Sequence, residues 1–462
     1  MALIGRPVPA QGEIWGEGAS ARWTYPAAPE RLAIAVFILS AFVFGAIVEM
    51  RSAFLTARMT DLDVYLRAAW AVRTGHDPYT ITDNSGWHYH YPPLFAIALV
   101  PLADPPPGQS RAGMMPFSVA VALWYLLNLL FLAFAVNHLG RALERSSAAD
   151  CGGIPPPGSR QWWSLRLLPI LICIAPIGVA LERGQADVLL LAMLCAMIAA
   201  ILAGRSVTAG LWMAGAICLK LFPLYLLLYP LWRRDLRLIA ACALGLLLGL
   251  AVIPAAYFGP GKAFSYAREW NHVLIEPALF GGSDLSRAGE LLDINATDSQ
   301  SFVALVHRWY NLDESVTMPR RLRSRPLEPW AKPAHWLVAI ILTAVTLLAA
   351  RWRLRGSPLA EALFLGGLAI IMVLASPVSH LHYLALAVPS AMGLVMAARG
   401  DAVYPRGGWL WFFAAAALCG LLAVLPGLEV LRDLGLAAVG ALALWCAGSI
   451  EMFSNGFGHS SP

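Results

Sequence analysis

The residues able to do chemistry are few, and each group stands inside or at the edge of an apolar run. Asp61-Leu62-Asp63-Val64-Tyr65 comes first. A helix starting at Thr60 places Asp63 at its third position, where a carboxylate complements the helix N-terminus in a capping-box-like arrangement. Asp61 is less needed by such a cap, and Tyr65 lies one turn above it on the same face. A carboxylate at a membrane-facing loop, free to take a proton from a hydroxyl, suits a general base. His88-Tyr89-His90-Tyr91-Pro92-Pro93 follows. Aromatics at the headgroup level account for the tyrosines, and two histidines without a third ligand form a weak metal pattern.

Glu182, Arg183, Gln185 and Asp187 separate two apolar runs, either as a polar turn or as part of a site. Lys220 lies well inside GLWMAGAICLKLFPLYLLLYPLW, too deep for easy snorkelling, with Pro223 close by to break the helix. An ammonium there must pair with an anion or line a wet cavity, and a phosphate is a natural partner. Ser299, Gln300 and Ser301 precede a short apolar stretch that carries Arg308. They mark either an anion-binding helix N-terminus or an ordinary serine cap. Ser376, Pro377, Ser379, His380 and His382 open a later run; in a helix the two histidines project to different faces.

The elements that must hold these groups are membrane helices. Of 462 residues, 59% are hydrophobic and 13% charged, against about 25% charged in a soluble domain. The chain is therefore expected to be an all-α polytopic membrane protein. The net charge of +5 comes largely from arginines at segment ends, which argues against nucleic-acid binding. Cys173, Cys195, Cys218, Cys242, Cys419 and Cys446 all lie in apolar runs, so no disulfide framework follows. The first 31 residues lack the apolar core of a cleaved signal.

Apolar runs fall at 32–50, 117–137, 165–181, 185–204, 209–231, 238–258, 334–350, 358–375, 380–398, 408–425 and 431–450, with a shorter one at 94–103. The expected organisation is a cytoplasmic segment 1–31, one membrane domain 32–452 of about eleven helices, and a disordered tail 453–462. Arginines at 233–237, 351–355 and 399–406 mark cytoplasmic loops, which puts the long 259–333 segment on the extracytoplasmic side. Residues 51–93 form the first extracytoplasmic loop. For the crossings between residue 94 and Arg233, two solutions stay open: either every run crosses, or 94–103 and one other segment, such as the Pro-broken 209–231, do not.

In order along the chain, DLDVY, Gly75-x-x-x-Tyr79, YPPL at Tyr91–Leu94, Gly184-Gln185-x-Asp187, Lys220-x-x-Pro223, Gln300-Ser301 and SPVSHLH at Ser376–His382 resemble glycosyltransferase family 87. These are GT-C-type, polyprenol-phosphate-mannose-dependent α-mannosyltransferases. Asp187 stands where the family pattern has Asn, and His380 and Tyr383 replace a Trp and a second His. The resemblance implies a GT-C-type fold and Asp61 as general base. Residues and resemblance together give an expected substrate-binding set of Asp63, Tyr65, Tyr91, Gln185, Asp187, Lys220, Gln300, Ser301, Arg308, His380 and His382. The expected reaction moves a hexose, mannose in this family, from a polyprenyl-phosphate sugar to a lipid or glycan hydroxyl. It inverts the anomeric centre and uses no metal or cofactor, with Lys220 on the phosphate and Arg308 or His382 assisting. It takes place at the cell membrane on the extracytoplasmic side. The rival readings are a multi-span transporter, which predicts repeated halves not found here, and another membrane enzyme of lipid-linked substrates.

Overall fold

The computed structural model describes residues 28–55, 60–148, 153–276, 290, 299–317, 326–352, 357–399 and 406–457. Among the described residues the architecture is helical, and the β-pairing is an isolated bridge between Thr82 and His88. The all-α expectation holds.

The expected eleven spans are not confirmed: among the described residues five helices are long and apolar enough to cross a membrane, Arg31–Phe54, Phe117–Ser146, Leu236–Phe258, Ala331–Ala350 and Leu436–Phe453. A sixth forms if Arg160–Ile172 and Ile174–Arg183, bent by 69° at Cys173, count as one span. The remaining apolar runs are shorter helices, and the cause is local. Ser206–Leu219 has 14 residues, about 21 Å, against a hydrocarbon core of about 30 Å. It stops at Lys220, and Pro223 then enters a 3-10 turn, Phe222–Leu227. The 380–398 run is likewise split into a 3-10 turn, Leu381–Ala387, and the helix Val388–Ala397. The 94–103 run becomes the six-residue helix Pro93–Ala98 and a 3-10 turn, too short to cross as a helix. Both segments that one topological solution leaves uncrossed are thus short or broken.

Pro358–Leu374 is apolar all round, as a helix enclosed by other helices must be, and every residue from Ala362 to Leu374 is buried. It packs against Ala331–Trp352, Val388–Ala397 and Leu436–Phe457. Gly366 allows the closest approach, since a Cβ there would lie 2.7 Å from the Ser390 backbone. The Arg31–Phe54 helix is the opposite case, with only 6% of its apolar window buried. Its fixed point is Tyr125, whose hydroxyl bonds the Ala41 carbonyl at 2.7 Å.

The long 259–333 loop holds local helices, among them Pro260–Trp270 and Phe302–Tyr310. The last helix runs to Phe457, five residues into the 453–462 stretch expected as tail, and 458–462 lie outside the described residues. So does most of the 1–31 segment.

Candidate functional site

Three interruptions of helix bring the central residues together. Ile174–Arg183 ends at Gly184 in the left-handed conformation (φ 69°), and the Gln185 N–H closes the turn on the Ala180 carbonyl at 2.9 Å. Trp124 Nε1 holds the same turn by bonding the Gly184 carbonyl at 2.8 Å. The next helix starts at Asp187, so this carboxylate sits in a first turn, where the helix dipole favours it. Lys220 leaves its helix in extended conformation. His382 lies in the 3-10 turn that follows Ser376–His380.

The side chains meet in one buried network. Lys220 Nζ donates to Asp187 Oδ1 at 2.6 Å and to Gln185 Oε1 at 3.2 Å. Gln185 Oε1 also accepts from the Tyr65 hydroxyl at 2.8 Å and the Tyr91 hydroxyl at 3.4 Å, and the two hydroxyls are 2.7 Å apart. His382 Nδ1 bonds Asp187 Oδ2. The Tyr383 ring centroid lies 4.3 Å from Lys220 Nζ, within cation–π range. Lys220 is 6% exposed and Asp187 fully buried. Charges so deep persist only when paired and hydrogen-bonded. The anion that Lys220 demanded in the sequence is therefore supplied by the protein itself.

The two acids near the start of the Thr60–Thr74 helix have different surroundings. Asp61 is the more open, its side chain 21% exposed, and it accepts from Arg183 Nε at 2.7 Å. Asp63 faces inward and pairs with Arg67 one turn on, at 3.3 Å, both side chains 2% exposed. Arg67 Nη2 also donates to Asn84 Oδ1 at 2.9 Å. The side chain of Thr60, expected to cap this helix, lies outside the described residues.

His88 and His90 do find a third partner, Glu290 of the long loop. His88 offers Nδ1 at 2.7 Å and its backbone N–H at 2.8 Å, and His90 offers Nε2 at 3.0 Å. Burial pushes the Glu290 pKa up, and the bonds from His90 and His88 more than offset this, holding it at about 2. The clamp continues through Trp270 Nε1, which donates to the His90 carbonyl at 3.1 Å. Among the described residues no three His, Cys, Asp or Glu side chains are arranged to hold a metal ion.

Gln300, Ser301 and Arg308 stand apart from the Lys220 network in their described bonds. Ser301 caps the Phe302–Tyr310 helix through the Ala304 N–H at 3.3 Å, the serine-cap alternative. Gln300 donates to the Arg432 carbonyl at 2.9 Å and accepts from the Ala438 N–H at 3.2 Å, and its own N–H bonds the Ser379 carbonyl. Arg308 turns back onto the carbonyls of Ala304 and Ser299. These residues brace Ser379, three positions before His382.

His380 and His382 do not diverge as expected. Their rings stack at 5.4 Å with 20° between planes. The helical premise fails, because His380 is extended (ψ 159°) and a 3-10 turn follows, so residues two apart can face one another.

Sequence reasoning missed Glu290, Arg67 and the pairing role of Arg183. Arg183 and Arg67 carried a signal, as basic residues in otherwise apolar surroundings. Glu290 carried none, lying in a polar loop among other acids.

The profile of glycosyltransferase family 87 matches residues 89–377, more than half of the chain. No curated protein matches. Crystal structures of ArnT from Cupriavidus metallidurans align over most of the chain. The one bound to undecaprenyl phosphate is 16% identical with a TM-score of 0.41, covering 92% of this chain and 77% of that one. The apo structure is 17% identical with a TM-score of 0.43, covering 93% and 78%. The extent of the family match settles the assignment: this helical membrane chain belongs to glycosyltransferase family 87.

Proposed function

We propose that the protein transfers a hexose, mannose being the expected sugar, from a polyprenyl-phosphate donor to a hydroxyl of a lipid or glycan acceptor. The observation that carries this reading is the link between an acid and a cation. Asp61 stands one turn from Tyr65, and the Tyr65 hydroxyl shares Gln185 Oε1 with Lys220 Nζ. A base and a phosphate-binding charge thus belong to one rigid framework.

In this reading Lys220 exchanges part of its bonding to Asp187 for the donor's phosphate. Asp61, oriented by Arg183, accepts the proton of the acceptor hydroxyl as its oxygen attacks the anomeric carbon. A bond forms from acceptor oxygen to that carbon, the bond from carbon to phosphate oxygen breaks, and polyprenyl phosphate leaves. A single displacement inverts the centre. Lys220 stabilises charge on the departing phosphate, so the step as proposed needs no metal ion. The polyprenyl chain enters sideways from the cell membrane, and the chemistry takes place on the extracytoplasmic side, where arginine placement puts the 51–93 and 259–333 loops.

The test is incubation of purified protein with radiolabelled polyprenyl-phosphate mannose and a membrane lipid extract. Label moving into a lipid or glycan product supports the proposal. Absence of transfer from every polyprenyl-phosphate sugar tried would sink it.

A further inference from the structure

His382 is fully buried, and its two ring nitrogens differ. Nδ1 bonds Asp187 Oδ2, whereas Nε2 has no hydrogen-bond partner among the described residues. An ionised carboxylate only accepts, so the proton of that bond sits on Nδ1 and a neutral ring carries its lone pair at Nε2.

Charge balance keeps the ring neutral. The charged and titratable groups acting on it are Asp187, Lys220 and His380, with the Tyr383 ring edge-on at 4.6 Å. Asp187 brings one negative charge, and Lys220 already matches it at 2.6 Å. A positive His382 would lack a counter-ion of its own. Arg183, on the helix packed against this turn, is bonded to Asp61 instead.

A buried acceptor without a donor is costly and calls for a ligand group that carries a proton. The rings of His380 and Tyr383, which lie against it, are half-buried. Of the three parts of a polyprenyl-phosphate sugar, the phosphate diester oxygens are acceptors and the polyprenyl chain is apolar. Only the sugar hydroxyls can donate to Nε2.

We propose that His382 Nε2 accepts a hydrogen bond from a hydroxyl of the transferred sugar, with Asp187 as the positioning residue that fixes the tautomer. This rests on the transferase reading above and reassigns His382 from the phosphate to the sugar. Because Lys220 shares Asp187 with His382, phosphate and sugar are bound side by side. Asp187 itself touches neither.

Two measurements test this on the full-length protein in detergent. The first needs no turnover. The nitrogen spectrum of histidine-labelled protein at neutral pH is expected to show an unprotonated Nε2 signal that His382→Gln removes. Asp187→Asn shifts that signal to the protonated form, because its amide N–H donates to Nδ1 and moves the ring proton to Nε2. A protonated Nε2 in the unmodified protein overturns the proposal.

The second is the pH profile of kcat/KM with polyprenyl-phosphate mannose, carried from about pH 8 down to about pH 4, below the ordinary imidazole range. Transfer is expected to fall as pH drops and the imidazolium loses its lone pair. His382→Gln, whose Oε1 accepts and does not titrate, loses about tenfold in rate and also loses this pH dependence. Asp187→Asn loses tenfold or more, mainly in kcat, at every pH. Transfer that instead rises as pH drops, with the rise abolished in His382→Gln, marks a cation on the phosphate and overturns the proposal. If the unmodified protein transfers no sugar, the transferase reading fails while the nitrogen spectrum still decides the tautomer.

Discussion

Arg183 Nε lies 2.7 Å from Asp61 Oδ2, joining the last residue of one helix to the first turn of another far away in the chain. The bond orients a carboxylate that remains partly open, which separates Asp61 from the enclosed Asp63. Asp61→Asn is expected to abolish transfer, by about a thousandfold or more, with donor affinity retained. Asp63→Asn leaves Arg67 buried without its countercharge, a cost of about 3–5 kcal/mol, and is expected to lower the thermal unfolding midpoint. An Asp63→Asn variant that folds normally yet is inactive, beside an active Asp61→Asn, would reverse the two roles.

Lys220→Met is expected to weaken donor binding about ten- to a hundredfold, the worth of a charge-assisted contact to phosphate. Lys220→Arg, which keeps the charge and so guards against misfolding, should bind within about tenfold of the natural protein. Titration of each folded variant with donor reads the difference. Normal donor binding by Lys220→Met removes the phosphate role.

Glu290 predicts a pH effect confined to one region. Its carboxyl is held at about 2, below the ordinary 4.5, so its contribution is present above the ordinary value and lost as pH falls through 2. Glu290→Gln is expected to speed hydrogen exchange at the His88 amide, which Glu290 now holds, with little change in global unfolding. Unchanged exchange there would show that the clamp does not order the first loop.

A third buried ion pair lies away from the site. Arg166 makes two bonds to Glu144, at 2.8 and 3.0 Å, and lies 3.8 Å from the Trp162 ring centroid. Arg166→Met alone is expected to cost about 3–5 kcal/mol, and Arg166→Met with Glu144→Met to recover most of it, since both charges are then gone. Calorimetric unfolding of the two variants makes the comparison.

Local signals were legible in the sequence. Lys220 demands an anion, Pro223 breaks a helix, a cap at Ser301 is one of two open readings, and cap geometry separates Asp61 from Asp63. Pairings across the chain were not. Glu290 meets His88 across 202 residues, and nothing local to either predicts the other. The stacking of His380 on His382 escaped because helical periodicity was assumed where a 3-10 turn forms. The expected count of spans is not confirmed for a related reason, since apolar composition measures length of sequence and not continuity of helix.

Arg51, at the end of the first apolar helix, pairs with Glu182, the neighbour of Arg183. Only 6% of that helix's apolar window is buried, so few protein contacts oppose a change of its tilt when bilayer thickness changes. The Asp61 carboxylate is thereby two adjacent residues away from a lever that responds to the surrounding membrane. Transfer measured in bilayers of graded acyl length is expected to vary with thickness, and Arg51→Gln to flatten that dependence while the enzyme stays active.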